Sequence, residues 1–386
     1  MKLKIPRLIK LRRLLFKFLS SAIPKQSGLL VFYPTHNKNG FSGNLKSFFV
    51  YMHNQPDKDY QMIWCTNKVE TYDLLKSLNY RVVKNKLIVH YQLLRAEFII
   101  QDSTYTWLIG NFSIVQLWHG NGFKSIALLD KTNPPEKLPL LREAYSHYQL
   151  IAASSDQDKN YLIPSFENHN VYVVGSPKND IFFQGDSIIQ SIKTRLELNS
   201  FDQIYAYAPT FRDIGTFDPF SMDFWEALNN WLILHNYIFV VKKHPWDKTL
   251  VIPSNFSNIK DYTTKINDVQ ELLIITDVLV SDYSALVTDF SITGKPILFY
   301  VYDYDSYIQI REFFYDLKTL LPGPFIYNSE ALLKTLQDTS WFEKEEYQEQ
   351  YTRFRDTFHK FLDGDSSKRV LEKIKEIRSN YHKNAS

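Results

Sequence analysis

The chain alternates short apolar runs with longer segments in which apolar residues recur every three or four positions. Runs rich in β-branched and aromatic residues lie at 29–34, 61–66, 80–84, 97–102, 113–118, 150–154 and 171–175. A second series lies at 204–209, 237–243, 278–282 and 296–302. Many are apolar at every position, the mark of parallel strands covered on both faces. Helical spacing fits 43–54, 156–163, 222–236 and 267–276 between them. Strand–helix alternation of this kind predicts an α/β architecture with parallel sheets, in two halves that join near 180–200. Residues 338–386 read as two charged helices broken at DGDSS. The expected organisation is a leading segment 1–25, domains over 26–185 and 186–345, and terminal helices over 346–386.

The leading segment has a pattern of its own. Placed on a helix after Pro6, Leu8, Leu11, Leu15 and Phe18 share one face, while Arg7, Lys10, Arg13 and Lys17 lie on another. This is how a helix lying in a membrane interface is built, attracted to anionic lipid; a helix packed on its domain is the alternative. No stretch reads as a transmembrane helix. A cleaved leader is not expected either, because charges interrupt any apolar core it would need.

Charge sharpens this picture. Residues 1–25 contain eight basic residues and no acid, and the remaining chain has 37 basic against 42 acidic residues, about −5. A basic body for nucleic acid is therefore not expected. The 386 residues are 44% hydrophobic, enough for two cores, and the single cysteine, Cys65, excludes a disulfide framework and a cysteine zinc site.

In open α/β sheets ligands bind beyond the carboxyl ends of strands, and the unusual motifs fall there. In VQLWHGNGFKS (115–125), His119 follows a strand end, and Gly120 and Gly122 let the backbone approach a ligand. An imidazole there suits removal of a proton from an alcohol, or simply caps a turn. In VVKKHPWD (240–247), Lys242, Lys243 and His244 leave a strand together and suit a phosphate, or an ordinary charged turn. In VLVSDYSALVTDF (278–290) a strand ends at Ser281, Asp282 and Tyr283 form a turn, and a helix is expected from Ser284. Its unpaired N–H groups and the hydroxyls of Ser281 and Ser284 suit an anion, or plain capping. In YAYAPTFRD (205–213), Thr210 suits an oxyanion, and Arg212 either grips a phosphate or closes a salt bridge with Asp213 or another acid. VVGSPKND (173–180) is a glycine-bearing turn, either a hinge or a ligand contact. The loop after residue 302 offers Asp303, Asp305 and Arg311; the alternating acids suit a divalent ion or water. No dinucleotide, Walker, zincin or nucleophile-elbow motif is present, and no protein-bound metal or cofactor is expected.

Taken in order, WHG with a following lysine, GSPKND, YAPTFRD, KKHP, SDYSALVTDF, PILFYVYDYDSY and LPGPF resemble the CDP-glycerol glycerophosphotransferases of teichoic acid synthesis. The resemblance covers roughly 110–326, with a weaker echo in FSGNLKSFF (41–49). It implies a GT-B-like fold of two Rossmann-like domains facing a cleft: an acceptor-side domain first, then a CDP-polyol-binding one. It implies a peripheral enzyme on the cytoplasmic membrane face, a CDP-glycerol donor and a polyprenyl-diphosphate-linked acceptor. His119 is then the base and His244 the donor-diphosphate histidine. Lys243, Thr210, Arg212, Ser281, Asp282, Tyr283, Ser284 and Arg311 line the donor side, and Gly120, Asn121 and Lys124 the acceptor side. The compact chain suggests a primase adding a first unit. The alternatives are a ribitol phosphate or capsule polymerase, a GT-B glycosyltransferase using a nucleotide sugar, or a binding protein that keeps the fold. Assembly with a second copy or with other wall-synthesis enzymes is a further expectation. Asn121–Gly122, where the family usually has Thr-Pro, and Glu312, where it often has glycine, bear on acceptor identity.

Overall fold

A computed structural model describes residues 7–34, 40–55, 59–120, 122–212, 219–244, 247, 249–310 and 313–385. Two compact units emerge. The first comprises residues 1–119, 125–180 and 363–386, and the second residues 120–124 and 181–362.

The first unit is built on seven parallel strands: β1 (Leu29–Phe32), β2 (Gln61–Cys65), β3 (Val82–Val83), β4 (Phe98–Gln101), β5 (Ser113–Gln116), β6 (Tyr148–Ala153) and β7 (Val171–Val173). Their order is β3-β2-β1-β4-β5-β6-β7, so the direction of winding reverses between β1 and β4. Both β1 and β4 are buried at every residue, as the continuous apolar runs require. One face packs under Phe16, Leu93, Tyr145 and Phe166. The other packs under Phe48, Phe49 and Trp64, together with Val370, Leu371 and Ile374 of the terminal helix Ser366–Ala385.

That helix returns to the first unit because the GSPKND turn receives it. Asp180 accepts hydrogen bonds from the Ser366 and Ser367 amides at 2.9 and 2.8 Å, satisfying two of the helix's open N–H groups. Gly175 has φ +86°, and a Cβ there would lie 2.3 Å from Ser366 Oγ. Only glycine allows this approach. The turn read as a hinge or ligand contact is thus a latch for the C-terminus.

The leading helix, Arg7–Ala22, packs on the same unit through Phe16, which is 5% exposed and meets Trp107 edge-on at 5.0 Å. Arg13, expected on the basic face with Arg7, Lys10 and Lys17, is instead buried and paired with Glu143. It lies three residues from Phe16 and so shares the packed face. The outer face exposes Leu11, Leu14, Leu15 and Phe18 at 66, 66, 55 and 70%.

The second unit repeats the plan with six parallel strands: β8 (Gln203–Tyr207), β9 (Tyr237–Val241), β10 (Ile259–Asp261), β11 (Val278–Ser281), β12 (Ile297–Tyr300) and β13 (Phe325–Ile326). Their order is β10-β9-β8-β11-β12-β13, with the winding reversal between β8 and β11. The strands β10 and β13 are not among the predicted runs: unlike the equally short edge strands β3 and β7, they do not sit inside a longer run rich in β-branched or aromatic residues. Phe123, fully buried against Phe354 and Phe358, anchors residues 120–124 in this unit's core. Among the described residues, no helix is long and apolar enough to cross a membrane.

Candidate active site

In the first unit, the chemistry lies where β4 and β5 end side by side. Trp118 follows β5 with φ +53°, a left-handed conformation that a bulky residue adopts at a cost. Its amide donates to Gln116 Oε1 at 2.9 Å. The turn aims His119 back at β4, where Nδ1 meets the Asp102 carbonyl oxygen at 2.8 Å. A carbonyl only accepts, so Nδ1 carries the proton and Nε2 is the basic nitrogen in the neutral ring. Desolvation holds the His119 pKa below the ordinary 6.5; the Lys178 ammonium pushes the same way, and the Asp102 bond opposes both. The residue is exposed, open to an incoming acceptor, and the downward direction favours the neutral ring, the form a general base needs.

In the second unit, the residues after β8, β11 and β12 converge at the winding reversal, where open α/β sheets hold ligands. The Thr210 amide and hydroxyl both donate to Asp282, at 2.9 and 2.6 Å. Arg212 Nη1 donates to Asp282 at 2.8 Å and to the Thr210 carbonyl oxygen at 2.6 Å. Its Nε and Nη2 fork onto both oxygens of Asp303 at 2.6 and 3.0 Å. Tyr283, Tyr302 and Tyr307 surround the guanidinium with ring centroids 5.4, 5.6 and 4.7 Å from Cζ. Burial works against the Arg212 cation, but Asp282 and then Asp303 hold its pKa above the usual value. Burial first, then Asp303 and Asp282, pushes the Tyr283 phenol up, and Tyr302 is pushed up to about 12, chiefly by burial. These phenols stay neutral and offer ring surfaces, and the Tyr283 hydroxyl donates to Asp303 Oδ1 at 3.3 Å.

The cluster brings together Thr210, Arg212, Asp282 and Tyr283 as expected, but with a different internal logic. Arg212 takes the salt-bridge alternative, with Asp282 and with Asp303, which in the sequence is one acid of an alternating loop. Nothing local in the sequence signals the pairing of Arg212 with Asp303, since the two residues are 91 positions apart. Ser281 Oγ, expected as a phosphate donor, is buried and donates to the Ala208 carbonyl oxygen at 2.7 Å. The helix expected from Ser284 spans Leu286–Phe290, and Ser284 Oγ accepts from the Leu286 amide at 3.4 Å. Ser284 itself is half-buried.

At the exit of β9, Lys242 Nζ donates to the Ile266 carbonyl oxygen at 2.7 Å and Lys243 Nζ to that of Leu250 at 2.6 Å. His244 is exposed, its ring 5.2 Å from that of Phe211. Gly120 and Lys124, expected on the acceptor side, belong to the second unit. There Lys124 bridges to Phe313, and its ammonium lies 5.3 Å from the Tyr307 ring centroid. Phe123 buried beneath explains this placement. Asn121 and Arg311 lie outside the described residues. Among the described residues no group of three or more His, Cys, Asp or Glu side chains is arranged to hold a metal ion.

Known proteins share this sequence and architecture. The family model for CDP-Glycerol:Poly(glycerophosphate) glycerophosphotransferase matches residues 15–376. A teichoic acid poly(glycerol phosphate) polymerase of Bacillus spizizenii is 28% identical over 95% of this chain and 96% of its own. A teichoic acid glycerol-phosphate primase of Bacillus subtilis is 30% identical over 69% of this chain and 68% of its own. A teichoic acid glycerol-phosphate transferase of Staphylococcus aureus is 28% identical over 93% and 95%. Among solved structures, the wall teichoic acid polymerase TagF superposes with a TM-score of 0.81 at 22% identity, covering 97% of this chain and 95% of that one. The two doubly wound units thus form a GT-B-like fold, and the chain belongs to the CDP-glycerol:poly(glycerophosphate) glycerophosphotransferase family.

Proposed function

We propose that this family member transfers glycerol phosphate from CDP-glycerol to a hydroxyl of a polyprenyl-diphosphate-linked glycan in teichoic acid synthesis, with His119 as general base. The acceptor oxygen forms a bond to the phosphorus that bears glycerol. The bond from that phosphorus to the bridging oxygen breaks, and CMP leaves with the electron pair. The acceptor proton passes to Nε2 of His119. An alcohol at neutral pH is a poor nucleophile, and positioned proton removal is worth about 10²–10⁴ in rate.

The donor side must offset charge on the transferring phosphoryl oxygens and on CMP. His244 is exposed for that role, and Lys243 Nζ, which donates to the Leu250 carbonyl oxygen, would exchange that acceptor for a phosphate, which accepts more strongly. Arg212 serves this side indirectly: with its fork on Asp303 and Nη1 on Asp282, it braces the turn that presents Ser284. Lys124, Gly120 and Asn121 sit beside the base in the chain; Lys124 adds charge near Tyr307, and Arg311 is assigned to the same donor side. A TagF structure with CDPG supports CDP-glycerol as the donor. Chain length does not separate primase from polymerase, since the match covers 96% of one polymerase and 68% of one primase.

The observation that carries this reading is the imidazole of His119 at a strand end, fixed through Nδ1–H on the Asp102 carbonyl oxygen so that Nε2 is the basic nitrogen. The test is CMP release from CDP-glycerol with a lipid-linked disaccharide, followed by mass analysis of the product. Wild-type protein is expected to add glycerol phosphate, one unit or a chain. Turnover with a UDP-sugar and none with CDP-glycerol would support a glycosyltransferase instead.

The same reading locates the enzyme on the cytoplasmic face of an anionic membrane. The outer face of the leading helix exposes Leu11, Leu14, Leu15 and Phe18 beside the exposed cations Arg12 and Lys17. Helix Lys86–Arg95, tied to it through Arg12 and His90, exposes Leu87, Ile88 and Tyr91. An apolar face rimmed by basic residues suits lipid rather than water.

A further inference from the structure

Three stretches distant in the sequence meet at one buried amide. Asn44 stands at the start of helix Gly43–His53 and is 3% exposed. Its Nδ2 donates to the carbonyl oxygens of Leu117 and Trp118, both at 3.0 Å. Its Oδ1 accepts from the Lys178 amide at 3.0 Å. Both amide protons and the amide oxygen are therefore committed to main chain. The Lys178 stretch is attached a second time, through Nζ to the His119 carbonyl oxygen at 3.4 Å.

The two carbonyls that Asn44 grips flank the strained residue. Trp118 at φ +53° is the joint that turns the chain from β5 toward the Asp102 carbonyl, and nothing in an indole favours that conformation. A strained joint persists only when its surroundings over-determine it, and Asn44 supplies two of those constraints from a separate element.

We propose that Asn44 is a positioning residue for the base: it locks the Trp118 turn and thereby holds the His119 imidazole on Asp102 in one tautomer. Asparagine is required because the role needs two donors and one acceptor on one short planar group. Aspartate keeps the acceptor for Lys178 but loses both donors and sets a carboxylate against two carbonyl oxygens. Leucine loses all three bonds in a similar volume. This proposal rests on the reading of His119 as base.

The experiment compares wild type with Asn44→Asp, Asn44→Leu and His119→Ala. CMP release from CDP-glycerol is measured alongside histidine side-chain ¹⁵N NMR on selectively labelled protein, with the His119 signal identified by its loss in His119→Ala. Thermal unfolding is followed throughout, and Asn44→Asp carries the test if Asn44→Leu does not fold. In wild type, His119 is expected as the Nδ1–H tautomer, titrating below an ordinary histidine. Asn44→Asp is expected to lower kcat at least tenfold with KM for CDP-glycerol within threefold, and to give mixed tautomers.

An Asn44→Asp protein with wild-type kcat overturns the proposal. So does a loss of kcat with the His119 signal unchanged, which marks Asn44 as merely structural. Wild-type turnover in His119→Ala defeats the reading of His119 as base, whereas the NMR comparison still reports on what Asn44 holds.

Discussion

The His119 ring decides protonation by where its two nitrogens point. Desolvation and then the Lys178 ammonium outweigh the opposing Nδ1–H bond to the Asp102 carbonyl, so the folded-state pKa lies below 6.5. The neutral form is thus present above that value and is lost as pH falls through the folded pKa. The acid limb of the kcat profile is expected below pH 6.5, measured by CMP release at saturating substrates; a limb well above 6.5 contradicts the assignment. Arg212 makes a second residue-scale prediction. Its side chain is 12% exposed and Asp282 is 1% exposed. Arg212→Ala leaves that carboxylate buried without its cation and is expected to cost about 3–5 kcal/mol of unfolding free energy, read by denaturant titration. At this scale the sequence was informative about which stretches matter and silent about pairing. His119 and Arg212 stood out by residue type at strand ends. Asp303 and Asn44 did not, because their partners lie 91 and 73–134 residues away and only the fold selects them.

Elements were legible wherever burial imposed a regular pattern. The strands appear at the expected places, most of them one to three residues shorter than the run because ladder pairing stops before the apolar stretch does, and Tyr148–Ala153 begins two residues ahead of its run. The edge strands Ile259–Asp261 and Phe325–Ile326 were illegible, since they do not sit inside a longer apolar run, as Val82–Val83 and Val171–Val173 do. The leading helix shows how one element divides its labour. Phe16 is buried, and Phe16→Ala is expected to destabilise the protein by about 3–5 kcal/mol, measured by thermal or chemical unfolding. Phe18, two residues on, is 70% exposed. A Leu11→Glu, Phe18→Glu double variant is expected to keep the unfolding midpoint and to lose at least tenfold in affinity for anionic lipid vesicles in a sedimentation assay. Unchanged vesicle binding removes this helix from the membrane account.

For the whole molecule, the two doubly wound halves follow from the strand–helix alternation. The return of residues 363–386 to the first unit and the passage of residues 120–124 into the second do not. They depend on Asp180 receiving the terminal helix and on Phe123 filling a core, contacts between segments that no local pattern reports. Fold alone leaves the reaction open, because GT-B-like scaffolds serve several chemistries; the family match and the strand-end residues narrow it to glycerol phosphate transfer. The most direct test is CMP release from CDP-glycerol by wild type and His119→Ala, each confirmed folded by its unfolding midpoint, with a lipid-linked disaccharide as acceptor. The account predicts turnover in wild type and a loss of about 10²–10⁴ in the variant. Release within threefold of wild type by folded His119→Ala would contradict it.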